Sequence, residues 1–448
     1  QLVHPGPDGL APYLSGIPNV GPSVIPSYIT GIPCRALDAD ELPEIAERFA
    51  AAAFRVRQAG YDGIELHAAH GYMLLGSFLS ATRNRRTDAY DGRTREGRIR
   101  FLVEVIREIK RATGADFPLT LRLSGYDRTP GGRPIHDTVR IAPWLVEAGV
   151  DAFHVSGGVI DPLTSQMVTG SHFGSAHNVA AARALKQVVD VPVIAVGRIH
   201  DPTLAERILA EGQADLVAMG RPLLADPALP EKARTGRKAQ IRPCISCESC
   251  IDSMETGRAS CAVNPFAGRE AELDARPALR SRRVAILGGG PAGLEAARIA
   301  ALRGHRVTLF ERSLRLGGSL VWASTVHPDN QPFLDFLLAE VRRVGVDVRL
   351  NAAIPAAEIA RAGFDAVWVA TGGRWAGPKI EGDEQPHVWS AAMLRSALAG
   401  ERSEEIERKL RGWQKRGIGL LGRGGARFLG PGLLRRLARG LLPFGRHV

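Results

Sequence analysis

Gly60-Tyr-Asp-Gly-Ile-Glu-Leu-His-Ala-Ala-His-Gly-Tyr72 is the stretch on which the fold turns. The small-residue turn Ala59-Gly60 ends an amphipathic helix. Gly63-Ile-Glu-Leu-His67 then reads as a short apolar strand, with polar chemistry gathered at its C-terminal end. The same unit recurs. Strands are predicted at Pro118-Leu-Thr-Leu-Arg-Leu123, Ala152-Phe-His-Val-Ser156, Pro192-Val-Ile-Ala-Val196 and Asp215-Leu-Val-Ala-Met219, and helices over 98–113, 139–148, 178–189 and 204–211. Near-continuous apolar strands alternating with helices indicate a parallel sheet covered by helices. So many similar units favour an α/β chain closed as a (β/α)8 TIM barrel over a doubly wound open sheet. Gln1-Leu-Val-His4 reads as the end of one further strand, which makes six. An open barrel leaves strand edges unpaired, so the barrel is expected to lack its first two βα units.

Four cysteines follow the repeats: Cys244-Ile-Ser-Cys247-Glu-Ser-Cys250, then Cys261. Three thiols at a repeated spacing of three, with a fourth close by, suit a cubane 4Fe–4S cluster. Structural zinc usually draws on two separated Cys-x-x-Cys pairs. Disulfides rank last, because only Cys34 lies outside the run and the chain is neither short nor cysteine-dense. A cluster and few cysteines fit a reducing cytoplasm.

A second domain opens at Arg283-Val-Ala-Ile-Leu287, a strand leading into Gly288-Gly-Gly290-Pro-Ala-Gly293, a helix to Gly304 and the strand Val307-Thr-Leu-Phe-Glu311. Gly288, Gly290 and Gly293 form G-x-G-x-x-G between strand and helix, the Rossmann-like dinucleotide pattern. The helix N-terminus offers N–H groups to a pyrophosphate. Glu311 is placed to accept from a ribose and disfavours a 2′-phosphate. Leu316-Gly317-Gly318 and Val369-Ala-Thr371-Gly372 fall where FAD-binding chains bring backbone close to the dinucleotide, so FAD is read here in preference to NAD.

The charge balance argues against nucleic acid. The net charge is +11, and residues 408–448 hold eleven Lys/Arg and no Asp/Glu, which accounts for the whole excess. The rest of the chain is balanced and has no bias toward phosphate backbones. No apolar run approaches the length of a membrane span. The Gly/Leu/Arg-rich tail after about residue 412 is expected to be a shifted or broken reading frame beginning near Trp413, or a basic tail of another use.

The strand ends carry the remaining chemistry. His67, His70 and Tyr72 lie within six residues. A single histidine is more often a structural hydrogen-bonding group, but three polar groups at one strand end favour a site. Two imidazoles can converge on one ligand atom, and a phenol of pKa about 10 suits protonation of a strongly basic carbon. Metal binding by His67 and His70 lacks a third ligand nearby. Arg122 ends another strand, and Gly197-Arg198 and Gly220-Arg221 end the last two. The corresponding loops of a barrel commonly bind phosphate, and arginine clamps it bidentately.

These pieces resemble the Old Yellow Enzyme family, in its iron–sulfur flavoprotein branch of 2,4-dienoyl-CoA reductase and trimethylamine dehydrogenase type. The likeness runs from about Gln1 to Gly373. It rests on the opening stretch, on Ser80-Ala-Thr-Arg-Asn-Arg-Arg-Thr-Asp88 with Tyr90, on Val196-Gly-Arg-Ile199 and Met219-Gly-Arg-Pro222, and on the cysteine run ending Cys261-Ala-Val-Asn-Pro265. The resemblance implies an incomplete FMN-binding barrel over 1–235, a cluster segment and connector over 236–280, an incomplete FAD-binding Rossmann-like domain over 281–412 interleaved with NAD(P)H binding, and the tail over 413–448. By that likeness Gln1 contacts the flavin pyrimidine and Arg122 the flavin ring. Gly197, Arg198, Gly220 and Arg221 surround the FMN phosphate, His67 and His70 hold a substrate carbonyl oxygen, and Tyr72 gives the proton. The His67/His70 pair is closer to the simple ene-reductases than to the amine dehydrogenase, which carries an aromatic residue at the first position.

The activity this implies is NAD(P)H-dependent reduction of an activated C=C bond in a small enone, enoate or enoyl-CoA-like substrate, by way of FAD, the cluster on Cys244, Cys247, Cys250 and Cys261, and FMN. A catalytically silent remnant of such an enzyme, or an amine or alcohol dehydrogenase of the same architecture, are the other readings.

Overall fold

The computed structural model describes residues 1–10, 14–160, 167–253, 257–273, 275–373, 381–382, 385, 388–390, 393 and 404–409. The tail over 413–448 lies outside them. The chain divides into two compact units, Gln1–Leu223 and Leu224–Val448.

In the first unit five parallel strands follow one another in sequence order: β1 (Ile64–Ala68), β2 (Leu119–Ser124), β3 (Ala152–Ser156), β4 (Val193–Ala195) and β5 (Leu216–Val217). A doubly wound sheet would reverse its order at a switch point; this one does not. Leu2 forms a parallel bridge to Leu66 ahead of β1, with its N–H donating to Glu65 O at 2.7 Å and its carbonyl accepting from His67 N–H at 3.0 Å. The sixth strand expected at Gln1–His4 is therefore present as that single bridge. The sheet is the curved, sequentially ordered wall of a β/α barrel.

Helices α1 (Leu42–Gln58), α2 (Met73–Leu79), α3 (Arg95–Thr113), α4 (Ile135–Ala148), α5 (Val179–Lys186) and α6 (Pro202–Ala210) alternate with the strands. Helix α3 starts three residues earlier than its apolar period predicts because the Thr94 hydroxyl caps Gly97 N–H. Helix α6 starts at Pro202, with Asp201 capping Thr203 N–H. On α1, Leu42, Ala46, Phe49, Ala50 and Ala53 make one buried stripe. Against such stripes the strands turn Leu66, Leu121, Leu123, Phe153 and Val155, all fully buried. Burying each large apolar side chain is worth roughly 1.5–3 kcal/mol.

In the second unit β6 (Arg283–Leu287), β7 (Arg306–Glu311), β8 (Asp347–Leu350) and β9 (Ala366–Val369) are all parallel, in the order β8-β7-β6-β9. This is the first half of a Rossmann sheet. Helices α7 (Pro291–Leu302) and α8 (Gln331–Arg343) pack on it through Leu294, Ala297, Phe336 and Leu337.

Phe101 on α3 is fully buried, its ring 4.8 Å from that of Phe78. Phe101→Ala is expected to destabilise the first unit by about 3–5 kcal/mol, read as a lower denaturant midpoint at unchanged slope. A loss below about 1 kcal/mol would mean that this layer collapses around the deletion.

Candidate active site

A TIM-barrel interior is ordinarily filled by Val, Ile and Leu. Here the inward positions of β1, β2 and β3 are Glu65, His67, Thr120, Arg122 and His154. The register sets His67 beside Arg122 and Arg122 beside His154. Glu65, one inward position earlier, accepts from Gln1 Nε2, and its other oxygen lies 2.7 Å from His154 Nδ1. Burial opposes ionisation of Glu65, but the hydrogen bonds and charges of His154, Gln1 and Arg122 hold its carboxyl below the usual range. An ionised carboxylate only accepts, so His154 Nδ1 carries the hydrogen.

Four buried nitrogens in this row have no hydrogen-bond partner: His67 Nδ1, His67 Nε2, Arg122 Nε and His154 Nε2. They are four of the twelve such side-chain atoms among the described residues. Unpartnered buried polar atoms are costly. Their concentration in one row across three strands fits a planar ligand whose edge both accepts and donates, as a flavin pyrimidine does.

His67, His70 and Tyr72 come together at the strand end as the sequence suggests. The His67 ring is 5.4 Å from Tyr72 and 6.1 Å from His70, centroid to centroid. His70 has a φ of +66°, a conformation held by its surroundings. Its backbone N–H donates to Ser124 Oγ at 2.7 Å and its Nδ1 lies 3.0 Å from Gly158 O. A carbonyl only accepts, so Nδ1 carries the hydrogen. Burial, and then the Arg122 charge, push the His70 pKa down to about 3 and that of His67 to about 4. Both rings are neutral near pH 7, and His70 then presents Nε2 as an acceptor. That divides the pair: His67 is the ring left to donate. Burial pushes the Tyr72 phenol up, keeping its proton in place.

At the far strand ends, Arg198 Nη1 donates to Ser171 O at 3.2 Å and Arg221 Nη1 to Thr169 O at 2.9 Å. His177 and His200 lie among these groups. Burial, then Arg128, Arg198 and Arg221, lower the His177 pKa to about 4. Burial, then Arg221 and Arg198, do the same to His200. Arg128 Nη1 is buried without a partner. Three guanidinium groups crowding two imidazoles make a cradle for a phosphate. An added Cβ at Gly197 would meet Asn178 Nδ2 at 2.7 Å; around Gly220 the space is open. Glu65, His154, Arg128, His177 and His200 were not found from sequence. His154 could have been, since it shares the inward parity of His67 and Arg122. Arg128 and His177 sit in loops with no pattern to mark them.

In the second unit a cavity of about 960 Å³ is lined by Gly288, Gly290, Pro291, Glu311, Gly318 and Thr371, among others. Gly288 has a φ of +109° and an added Cβ would meet Ala370 O at 2.3 Å; at Gly293 it would meet Gly288 O at 1.9 Å. Only glycine fits either place. Helix α7 begins here at Gly290 with no side-chain cap, leaving its first N–H groups to a ligand. Glu311 lines the cavity but is already engaged, accepting from Gly289 N–H at 2.7 Å and Ser313 N–H at 2.8 Å. A carboxylate has about four acceptor sites, so its capacity for a ribose is reduced and not removed.

No cysteine is in a disulfide. Among the described residues no three His, Cys, Asp or Glu side chains converge at metal-holding distance. The thiols at Cys244, Cys247, Cys250 and Cys261 have the donor chemistry a cluster needs and lie close in sequence, but the described structure does not bring them together.

Residues 8–240, just over half of the chain, match the NADH:flavin oxidoreductase / NADH oxidase family. The chain belongs to that family. Residues 282–408 match the pyridine nucleotide-disulphide oxidoreductase family. NADH oxidase of Thermoanaerobacter brockii is 41% identical over 418 residues, covering 91% of this chain and 63% of that protein. Cinnamate reductase of Clostridium sporogenes is 36% identical over 413 residues, covering 87% and 61%. A solved complex of 2-naphthoyl-CoA reductase with 2-naphthoyl-CoA superposes with a TM-score of 0.81 at 28% identity, over 98% of this chain and 72% of that one. The chain thus spans about three fifths of the two curated relatives. The likeness to the iron–sulfur flavoprotein branch and the barrel-plus-Rossmann architecture hold. Among the described residues no helix is long and apolar enough to cross a membrane.

An FMN phosphate bound among Arg198, Arg221 and Arg128 would be reported by the two depressed imidazoles. Without it, His177 and His200 stay neutral down to about pH 4; a phosphate offsets the arginine charge and both pKa values rise toward the ordinary 6.5. Ring-proton shifts followed against pH, with and without FMN, measure this. Titrations unmoved by FMN would remove these residues from the phosphate site.

Proposed function

We propose that the protein is an NAD(P)H-dependent ene-reductase acting on a small enone, enoate or enoyl thioester. The observation that carries this reading is the row of unpartnered nitrogens on His67, Arg122 and His154 beneath a mouth holding His67, His70 and Tyr72. When bound, FMN in the barrel, with FAD, NAD(P)H and a 4Fe–4S cluster in the second unit, supplies hydride and single-electron transfer. The phosphate arm is assigned to Arg198 and Arg221 with Arg128, and the pyrimidine edge to Gln1 and Arg122. The pyrophosphate of the dinucleotide is assigned to the glycine loop and the start of α7.

The chain's own residues then divide the remaining work. His67 donates to the substrate carbonyl oxygen, on which negative charge grows as the β-carbon is reduced. One preorganised donor of this kind lowers a barrier by about 3–4 kcal/mol. The neutral state of His67 suits that role, because a neutral donor polarises the oxygen without surrendering its proton. Tyr72 keeps its phenolic hydrogen well above neutral pH and delivers it to the α-carbon. His70, with Nδ1–H committed to Gly158, is assigned to accept from a substrate N–H or O–H or from water, and so to orient the substrate.

Tyr72→Phe removes the proton and little else. Flavin-loaded, reduced protein mixed with 2-cyclohexenone or cinnamate in stopped flow should reoxidise roughly 10²–10⁴-fold more slowly than wild type. Unchanged reoxidation would exclude Tyr72 as the donor. His67→Ala should slow the same phase by about 10²–10³-fold; a loss of flavin with no change in rate per flavin would instead give His67 a binding role.

A further inference from the structure

The ends of the cysteine loop are tied by one side chain. Arg242 stands two residues before Cys244, and Val263 two residues after Cys261. Arg242 Nη1 donates to Val263 O, and Nη2 donates to Glu295 Oε1 at 2.8 Å. The guanidinium also lies over the Phe336 ring, 5.1 Å from its centroid. Its backbone N–H donates to Asp226 Oδ2 at 2.8 Å, an oxygen that also takes Lys232 Nζ at 2.6 Å. Nη1, Nη2 and the backbone N–H of Arg242 each reach a different segment.

The far partner gives the contact its meaning. Glu295 is on α7, whose first residues Pro291 and Ala292 line the dinucleotide cavity. The pair is shielded, with Arg242 7% and Glu295 15% exposed. Arg298 on the same helix donates to Glu295 at 2.8 Å, so the carboxylate is held from two sides. A lysine could make one of these bonds but not the flat stack and the fork together.

We propose that Arg242 is a positioning residue, closing the four-thiol loop at its base and, through Glu295, seating that loop on the helix that carries the dinucleotide-binding turn. Loop closure needs no metal. Its consequence for a cluster rests on the reading of the thiols under the proposed function, and the two are tested separately.

The experiment compares wild type with Arg242→Met, Arg242→Lys and Glu295→Gln in the whole chain. Hydrogen exchange of peptides covering 244–261 reads the loop. Iron and sulfide content and the electron paramagnetic resonance spectrum of dithionite-reduced protein read the cluster. In Arg242→Met the loop should exchange about tenfold faster or more relative to the β6–β7 peptides, with iron retention reduced and the spectrum broadened. Arg242→Lys should fall between, and Glu295→Gln should shift the spectrum while the loop stays closed on Val263. Should Arg242→Met not fold, the Lys variant decides by the same ratio. Loop exchange that rises only in step with the rest of the unit, or a lysine variant no better than methionine, overturns the proposal. A wild type without iron sinks the cluster reading alone, and the exchange ratio still decides on Arg242.

Discussion

Successive residues of a strand point to opposite faces, and in β1, β2 and β3 that rule sends Leu66, Leu121, Leu123, Phe153 and Val155 under the helices and Glu65, His67, Arg122 and His154 into the barrel. The apolar set supplies the energy that holds the wall. The polar set has to be satisfied inside it. Only Glu65 carries negative charge in that row, and it is already shared between Gln1 and His154. The unpartnered nitrogens therefore define what the interior accepts: a flat group with oxygens and nitrogens along one edge.

A second gathering of donors lies at the end of the barrel where β4 and β5 stop. Burial, with the charges of Arg198 and Arg221 and, for His177, Arg128, keeps the His177 and His200 rings neutral. Bringing several guanidinium groups together out of water costs several kcal/mol each, so the gathering calls for an anion nearby. Under the proposed function, row and cradle are two halves of one requirement, a planar ring system at the strand face and a phosphate at the strand ends. The depressed imidazoles and the unpartnered nitrogens are separate physical signs of it, one electrostatic and one geometric.

How much of this can be read from residues alone depends on whether the signal is local. The strand after Gly60 and the glycine turn after Leu287 announce themselves through short-range pattern, and the sheet order follows from the repeat. Helix starts at Arg95 and Pro202 were displaced by caps at Thr94 and Asp201, which an apolar period does not see. His67, His70 and Tyr72 were legible because they cluster in sequence. Glu65 and His154 were not, because their pairing spans two intervening βα units and shows only once the strands are in register. The tautomer of His70 is a fact about Gly158, and no property of the His-Gly-Tyr stretch contains it. The thiol spacing was plain, yet what holds that loop is an arginine outside the motif bonded to a helix some fifty residues on.

The Arg242 network and the row inside the barrel treat buried polar groups in opposite ways, and the contrast separates binding from positioning. Around Arg242, Glu295, Arg298 and Glu340 each buried cation meets a carboxylate, and burial opposes the ionisation of Glu295 while its two arginines hold the carboxyl below the usual range. Such a network is weak evidence for added stability, since well-packed apolar groups can do as well. Its value is directional, because removing one partner strands the other. It therefore specifies one seating of the cysteine loop on α7 and penalises the rest. The barrel unit matches some buried cations in the same way, Arg83 with Asp8 and Arg98 with Asp137, but the row on β1, β2 and β3 keeps four buried nitrogens unpartnered, which costs stability until a ligand supplies their partners. Selection for a fixed geometry explains the first arrangement, selection for a ligand explains the second, and neither would serve in the other's place.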